Sequence, residues 1–88
     1  MELRIEVKRF AEEMEKRLRE NEDKSKWENS PVSVLERGVY RNYREVCEVW
    51  PSTLHPAKYL KSCVDIACYA MMLADRWGDL MGGGKDGQ

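Results

Sequence analysis

Arg37, Arg41 and Arg44 fall at spacings of four and three in "RGVYRNYREV", so a helix stacks their guanidinium groups along one side. A guanidinium grips phosphate or carboxylate oxygens two at a time, which makes the row either solvated surface or an anion site. The second chemistry-bearing residue is Asp65, in the middle of "YLKSCVDIACYAMMLADRWGDLM", where an unpaired carboxylate is costly to bury. It requires a cation: a metal ion, or a basic side chain such as Arg41, Arg44 or Lys61. A helix-to-helix salt bridge with no ligand is the plainer reading of the same residue. Trp27 stands in the charged stretch "NEDKSKWENSP", either folded back as a lid on the core or offering its face to a ligand. His55 is the single histidine and has no conspicuous partner, so it reads as a loop or capping residue rather than a base or ligand.

Three helices must position these groups. Leu3, Val7, Phe10, Met14 and Leu18 recur at helical spacing between Glu2 and Asn21, with Glu, Lys and Arg between them, as on an amphipathic surface helix. Ser30 is expected as the N-cap and Pro31 as a first-turn residue of a second helix over about 33–50, with an apolar seam of Leu35, Val39, Tyr43, Val46 and Trp50. Gly38 weakens that helix by up to about 1 kcal/mol relative to Ala. Pro51, Ser52 and Thr53 interrupt the pattern, and Pro56 opens a third helix over about 56–82. Between Cys63 and Leu73 this helix is apolar almost all the way round and must therefore be covered all the way round. Two short helices have too little surface for that, so a second copy is expected to pack there. One domain over 1–82 and a flexible tail over 83–88, "GGKDGQ", complete the organisation.

Composition narrows the function classes. Eighty-eight residues form one small domain whose core alone is marginal. The three cysteines, Cys47, Cys63 and Cys68, lack a C-x-x-C spacing or a histidine cluster, so neither a disulfide framework nor a zinc site is indicated and the thiols read as small hydrophobes. Fifteen basic against sixteen acidic residues argue against a non-specific nucleic-acid binder and make any anion site a local one. The N-terminus lacks the pattern of a signal peptide and no run reaches membrane-span length, so a cytoplasmic location without a membrane partner is expected.

"FAEEMEKRLRENEDKSKW" followed by "VDIACYAMMLAD" resembles the small all-α MazG-type nucleotide pyrophosphohydrolases. Compact members of that family end a first helix in E-N-x-H-K-G-G-W and carry a last helix reading E-A-A-D-V-A-N-F-A-M-M-I-A-D. The likeness covers about residues 10 to 77. It implies a helical chain that completes its bundle as a homodimer or homotetramer, and an enzyme that splits nucleoside triphosphates into monophosphate and pyrophosphate with magnesium. In the family the metal is held by E-E-x-x-E on helix two and E-x-x-D on helix three. Carboxylates at i and i+3 or i+4 share a helix face, and two such helices can aim several hard oxygen ligands at one ion cluster.

Most of that ligand set is replaced here. An ungapped overlay puts Arg41 and Asn42 at the first two glutamates and Glu45 at the third, while Ser62 replaces the glutamate of the second motif, Asp65 remains and Cys68 takes the place of an asparagine. Lys24 and Trp27 are kept from the loop motif, with Asp23, Ser25 and Lys26 at its histidine and glycines. A fixed guanidinium inside the ligand set repels a divalent ion by roughly several kcal/mol at an effective dielectric near 20. The expectation is therefore a catalytically inactive protein that holds a phosphate-bearing nucleotide without a metal, and sequesters it, as a virus-encoded antagonist of a host defence would. Arg41 and Lys24 would meet phosphates, Trp27 or Tyr43 would stack a base, Asn42 would hydrogen-bond, and Glu45 and Asp65 would complete the pocket. Arg41 has a plainer option in pairing with Glu45 at i+4, worth about 0.3–0.5 kcal/mol when exposed. Two alternatives stand beside this one: a residual magnesium-dependent pyrophosphohydrolase using Glu45 and Asp65, and an interaction module whose old pocket is filled by salt bridges.

Overall fold

The computed structural model describes residues 1–21, 27–49 and 54–80; Lys24, Trp50 and the tail lie outside them. Helix α1 spans Ile5–Glu20, a 3-10 turn Trp27–Asn29, α2 Val32–Arg44 and α3 Pro56–Leu80. The described residues are predominantly helical and include no strand, in keeping with the all-α expectation.

Charged neighbours and a polar cap support α1 from within. Glu15 meets Arg19 at 2.9 Å and Glu13 meets Lys16 at 3.6 Å, exposed pairs worth a few tenths of a kcal/mol each. The Asn21 amide donates to the Arg17 carbonyl at 3.1 Å, satisfying an acceptor that the helix end leaves open. No residue of α1 is fully buried: Phe10, Met14 and Leu18 lie half-covered against the core, and Leu3 and Val7 are exposed.

Pro31, rather than Ser30, occupies the N-cap of α2, and no side chain caps it. The Pro31 carbonyl accepts the N–H groups of Val34 and Leu35, while the Ser30 carbonyl faces Arg76. The helix does not end as an α-helix: Glu45–Val49 form a π-helical turn, a widened register found in single turns, frequently at functional sites. Its apolar seam also differs from expectation. The residues buried on α2 are Leu35, Gly38 and Asn42; Tyr43 is exposed, Val39 and Val46 are half-buried. The reason is close approach. Gly38 has no side chain, so the Tyr69 ring of α3 occupies the space a Cβ would need. Buried Asn42 is tolerated because its amide donates to the Gly38 carbonyl at 2.8 Å.

In α3, Val64, Cys68 and Met72 recur every fourth residue and join Leu35 to form the buried core. The His55 carbonyl accepts the Tyr59 N–H at 2.9 Å, which starts the helix just before Pro56. Cys63, Ile66, Ala67, Met71 and Leu73 remain half-buried and Ala70 exposed, so one chain covers only part of the apolar surface of α3. The described helices include none long and apolar enough to cross a membrane. The three cysteines are free thiols.

Candidate functional site

An open cleft of about 640 Å³ lies among α1, α2 and α3. Residues from all three helices and from the 3-10 turn line it, and the arrangement follows from their helical spacing. Arg41 and Asn42 come from the last turn of α2 and Glu45 from the π-helical turn that follows it; Lys58, Lys61, Ser62, Asp65 and Tyr69 come from turns of α3. Five of the residues singled out in the sequence, Trp27, Arg41, Asn42, Glu45 and Asp65, thus share one cavity. Tyr43 lies outside it on the exposed side of α2, where its hydroxyl is held above the usual range chiefly by a hydrogen bond with the Cys47 thiol.

Asp65 takes its cation from an unexpected helix. Arg17 of α1 binds it with both arms, Nε donating to Oδ1 at 2.7 Å and Nη2 to Oδ2 at 3.4 Å. None of Arg41, Arg44 and Lys61 plays this part. The guanidinium also reaches Glu20 at 3.0 Å, and its pKa is raised, first by the hydrogen bond it donates to Asp65. Arg17 sits between Met14 and Leu18, beside the apolar stripe of α1, and that adjacency was the one sequence signal that it would face α3 rather than solvent.

Glu45 is committed as well. The hydroxyl of Ser62, itself buried, donates to Glu45 Oε1 at 3.2 Å. The i+4 pair of Arg41 with Glu45 is absent: among the described residues Arg41 has no hydrogen-bond or ion-pair partner, and neither has Lys61. Arg44 pairs along its own helix with Glu48 at 3.2 Å, which removes it from the anion row. Charged residues lining the cleft are therefore Arg17, Arg41, Lys58 and Lys61 against Glu45 and Asp65, a local positive excess in a chain of formal net charge −1.

Trp27 combines both of its expected readings. It packs on the core cluster and lines the cleft. Its indole N–H donates to Asp75 Oδ2 at 3.0 Å, and its carbonyl accepts from Arg76 Nη1 at 3.1 Å, so the far part of α3 fixes it in place. Cys68, beneath the cleft, has its thiol pushed above the usual range, mainly by burial and secondarily by the Asp65 carboxylate.

The donors present do not fit the magnesium cluster implied by the resemblance. Among the described residues no three acidic, histidine or cysteine side chains converge, both Asp65 oxygens face Arg17, and Glu45 accepts from Ser62. Arg17 and Tyr69 are cleft residues that the sequence did not single out, while Lys61 was considered only as a partner for Asp65 and Ser62 only as the replacement of a glutamate. Comparison of the chain with family models, with curated proteins and with solved structures found no match to any of them.

Proposed function

We propose that this chain binds a phosphate-bearing nucleotide in the cleft and holds it without hydrolysis. The observation that carries the reading is the division of labour among the charges. The two carboxylates inside are engaged by Arg17 and Ser62, while Arg41 and Lys61 enter the same cavity with no partner of their own among the described residues. A cation left without a carboxylate at the wall of a cleft is suited to phosphate oxygens, which a guanidinium binds with two parallel bonds. Asn42 and Ser62 add polar edges; Trp27 and Tyr69 add aromatic ones.

A divergent MazG-like bundle is the architecture proposed for this function, and it needs a second copy. Leu3 just before α1, Ile5 and Val7 on α1 and Leu60 on α3 are exposed, the buried apolar residues among the described ones are Leu35, Val64, Cys68 and Met72, and a chain this small gains from intermolecular burial. Holding rather than cutting follows from charge. A fixed guanidinium stands in for part of the metal's work on phosphate but does not lower the pKa of water. The filled-pocket alternative is weakened by geometry, since the Arg17–Asp65 pair leaves a cleft of about 640 Å³ beside it.

Isothermal titration of nucleoside triphosphates with magnesium and again with a chelator, alongside a pyrophosphate-release assay, tests the reading. Binding that survives chelation without release of pyrophosphate supports it, as does its loss in Arg41→Glu. Steady metal-dependent release would replace it with the residual hydrolase, and absence of binding with an intact fold would leave the interaction module. Sedimentation across a concentration series reads the assembly.

A further inference from the structure

The cleft has a cationic end and an aromatic end. Along α3 its lining runs from Lys58 and Lys61 to Tyr69 and Met72, and eight residues at about 1.5 Å each separate Lys61 from Tyr69 by roughly 12 Å of helix axis. Trp27 closes the aromatic end, anchored by Asp75 and Arg76.

Tyr69 is placed with care. A Cβ built on Gly38 would stand 2.6 Å from Cε1 and Cζ of its ring and 2.7 Å from Cδ1. A point nearly equidistant from three consecutive ring carbons lies over the face of the ring, so one face of Tyr69 rests on the bare backbone of α2. The residue is half-buried and lines the cleft, and among the described residues its hydroxyl has no partner while keeping access to solvent. A ring seated on a glycine, packed against the core and lining the cleft is held before any ligand arrives, so little further side-chain entropy is lost when a flat group packs on it.

We propose that Tyr69 is the base-stacking, specificity-determining residue of the cleft, selecting ligands that join an aromatic base to a phosphate chain over bare polyphosphate. The proposal rests on the nucleotide reading above and adds to it the residue that reads the base. Tyr43 is outside the cleft, and Trp27, packed on the core and anchored at its edge by Asp75, serves as a wall beside Tyr69 as the platform. Stacking tolerates any base because every base has a π-face, so the selection is for a base as such. The free hydroxyl offers one hydrogen bond to the base edge, a further and smaller preference.

The test compares inorganic tripolyphosphate with ATP, GTP, CTP and UTP, each titrated in chelator into the unaltered chain, Tyr69→Leu and Tyr69→Phe. The expected result is that the best nucleotide binds the unaltered chain at least about tenfold more tightly than tripolyphosphate, the scale of one stacked base. Tyr69→Leu should abolish that margin and leave tripolyphosphate affinity within about twofold, while Tyr69→Phe should keep most of it. Undiminished nucleotide affinity in Tyr69→Leu, or tripolyphosphate binding as tightly as every nucleotide, overturns the role of Tyr69 and leaves the anion site standing. Failure of tripolyphosphate and nucleotides alike in the unaltered chain overturns the underlying reading itself. Should Tyr69→Leu not fold, photolabelling of the unaltered chain with 8-azidoadenosine triphosphate reads the same contact: attachment at Tyr69 supports the proposal, and attachment confined to residues outside the cleft overturns it.

Discussion

Gly38→Ala sets two known magnitudes against each other, and the structure decides which wins. Within a helix Ala is favoured over Gly by up to about 1 kcal/mol, so sequence reasoning alone expects the substitution to stabilise α2. The new Cβ would stand 2.6 Å from the Tyr69 ring, whereas ordinary contact begins at 3.4 Å, so the ring or the helix carrying it must retreat by about 0.8 Å. Tyr69 packs against the core formed by Leu35, Val64, Cys68 and Met72, and movement of its ring disturbs the α2–α3 contact. Overpacking of this kind costs about 1–3 kcal/mol. The net expectation is destabilisation by about 1 kcal/mol, a drop of roughly 4–8 °C in melting temperature for a domain of this size. Urea denaturation followed by far-UV circular dichroism measures it, at one fixed protein concentration because self-association would add to stability. The decisive control repeats the substitution in a Tyr69→Ala background. With all three ring carbons gone, the helix preference should stand alone and Gly38→Ala should become stabilising. A rise in stability from Gly38→Ala in the otherwise unaltered chain would refute the argument, since it would mean that Tyr69 does not lie on Gly38.

Arg17→Met and Asp65→Asn, singly and together, should show a coupling energy of about 1–3 kcal/mol, between the values of surface and buried pairs, because these side chains are 27 % and 16 % exposed; a flat double-mutant cycle would show the bidentate contact to be worthless. Arg41→Glu should remove anion binding yet change unfolding free energy by less than about 0.5 kcal/mol, as expected for an exposed residue without a partner among the described residues; an equally large loss of stability would mark it as structural. Alkylation of the native protein should modify exposed Cys47 first and buried Cys68 last, read by peptide mass, and a reversed order would contradict the core. Burial raises the Cys68 pKa, so in the pH range between its unfolded and folded values the unfolded chain has lost a proton that the folded one keeps, and stability falls as pH rises there. The difference in denaturation midpoint between the chain and Cys68→Ala should accordingly narrow above the ordinary thiol range, and a difference independent of pH would refute that assignment.

How much was legible beforehand varied residue by residue. The presence of α1 and α3 and the start of α3 at Pro56 follow from periodicity and proline placement, because both act within a few residues of sequence, whereas the burial of Val64, Cys68 and Met72 within an all-round apolar stretch was decided by packing. The seam of α2 did not follow, because it depends on where α3 approaches: an apolar count favours Tyr43, yet the glycine at 38 draws in Tyr69 and turns Asn42 inward. The need of Asp65 for a cation was readable from its apolar surroundings, but the identity of that cation was not, since Arg17 is forty-eight positions away.

Local chemistry in the chain was thus sufficient to specify three helices, an acid in need of a partner and a cationic flank on α2, all of which arise from spacing along a single helix. Only the packing of those helices decided that Arg17 would claim Asp65, that Ser62 would engage Glu45, and that Arg41 and Lys61 would be left facing one cavity. The physical reason is that pairing energies depend on distances between segments remote in sequence, and those distances are set by which side chains allow two helices to come close, here above all the missing one at Gly38.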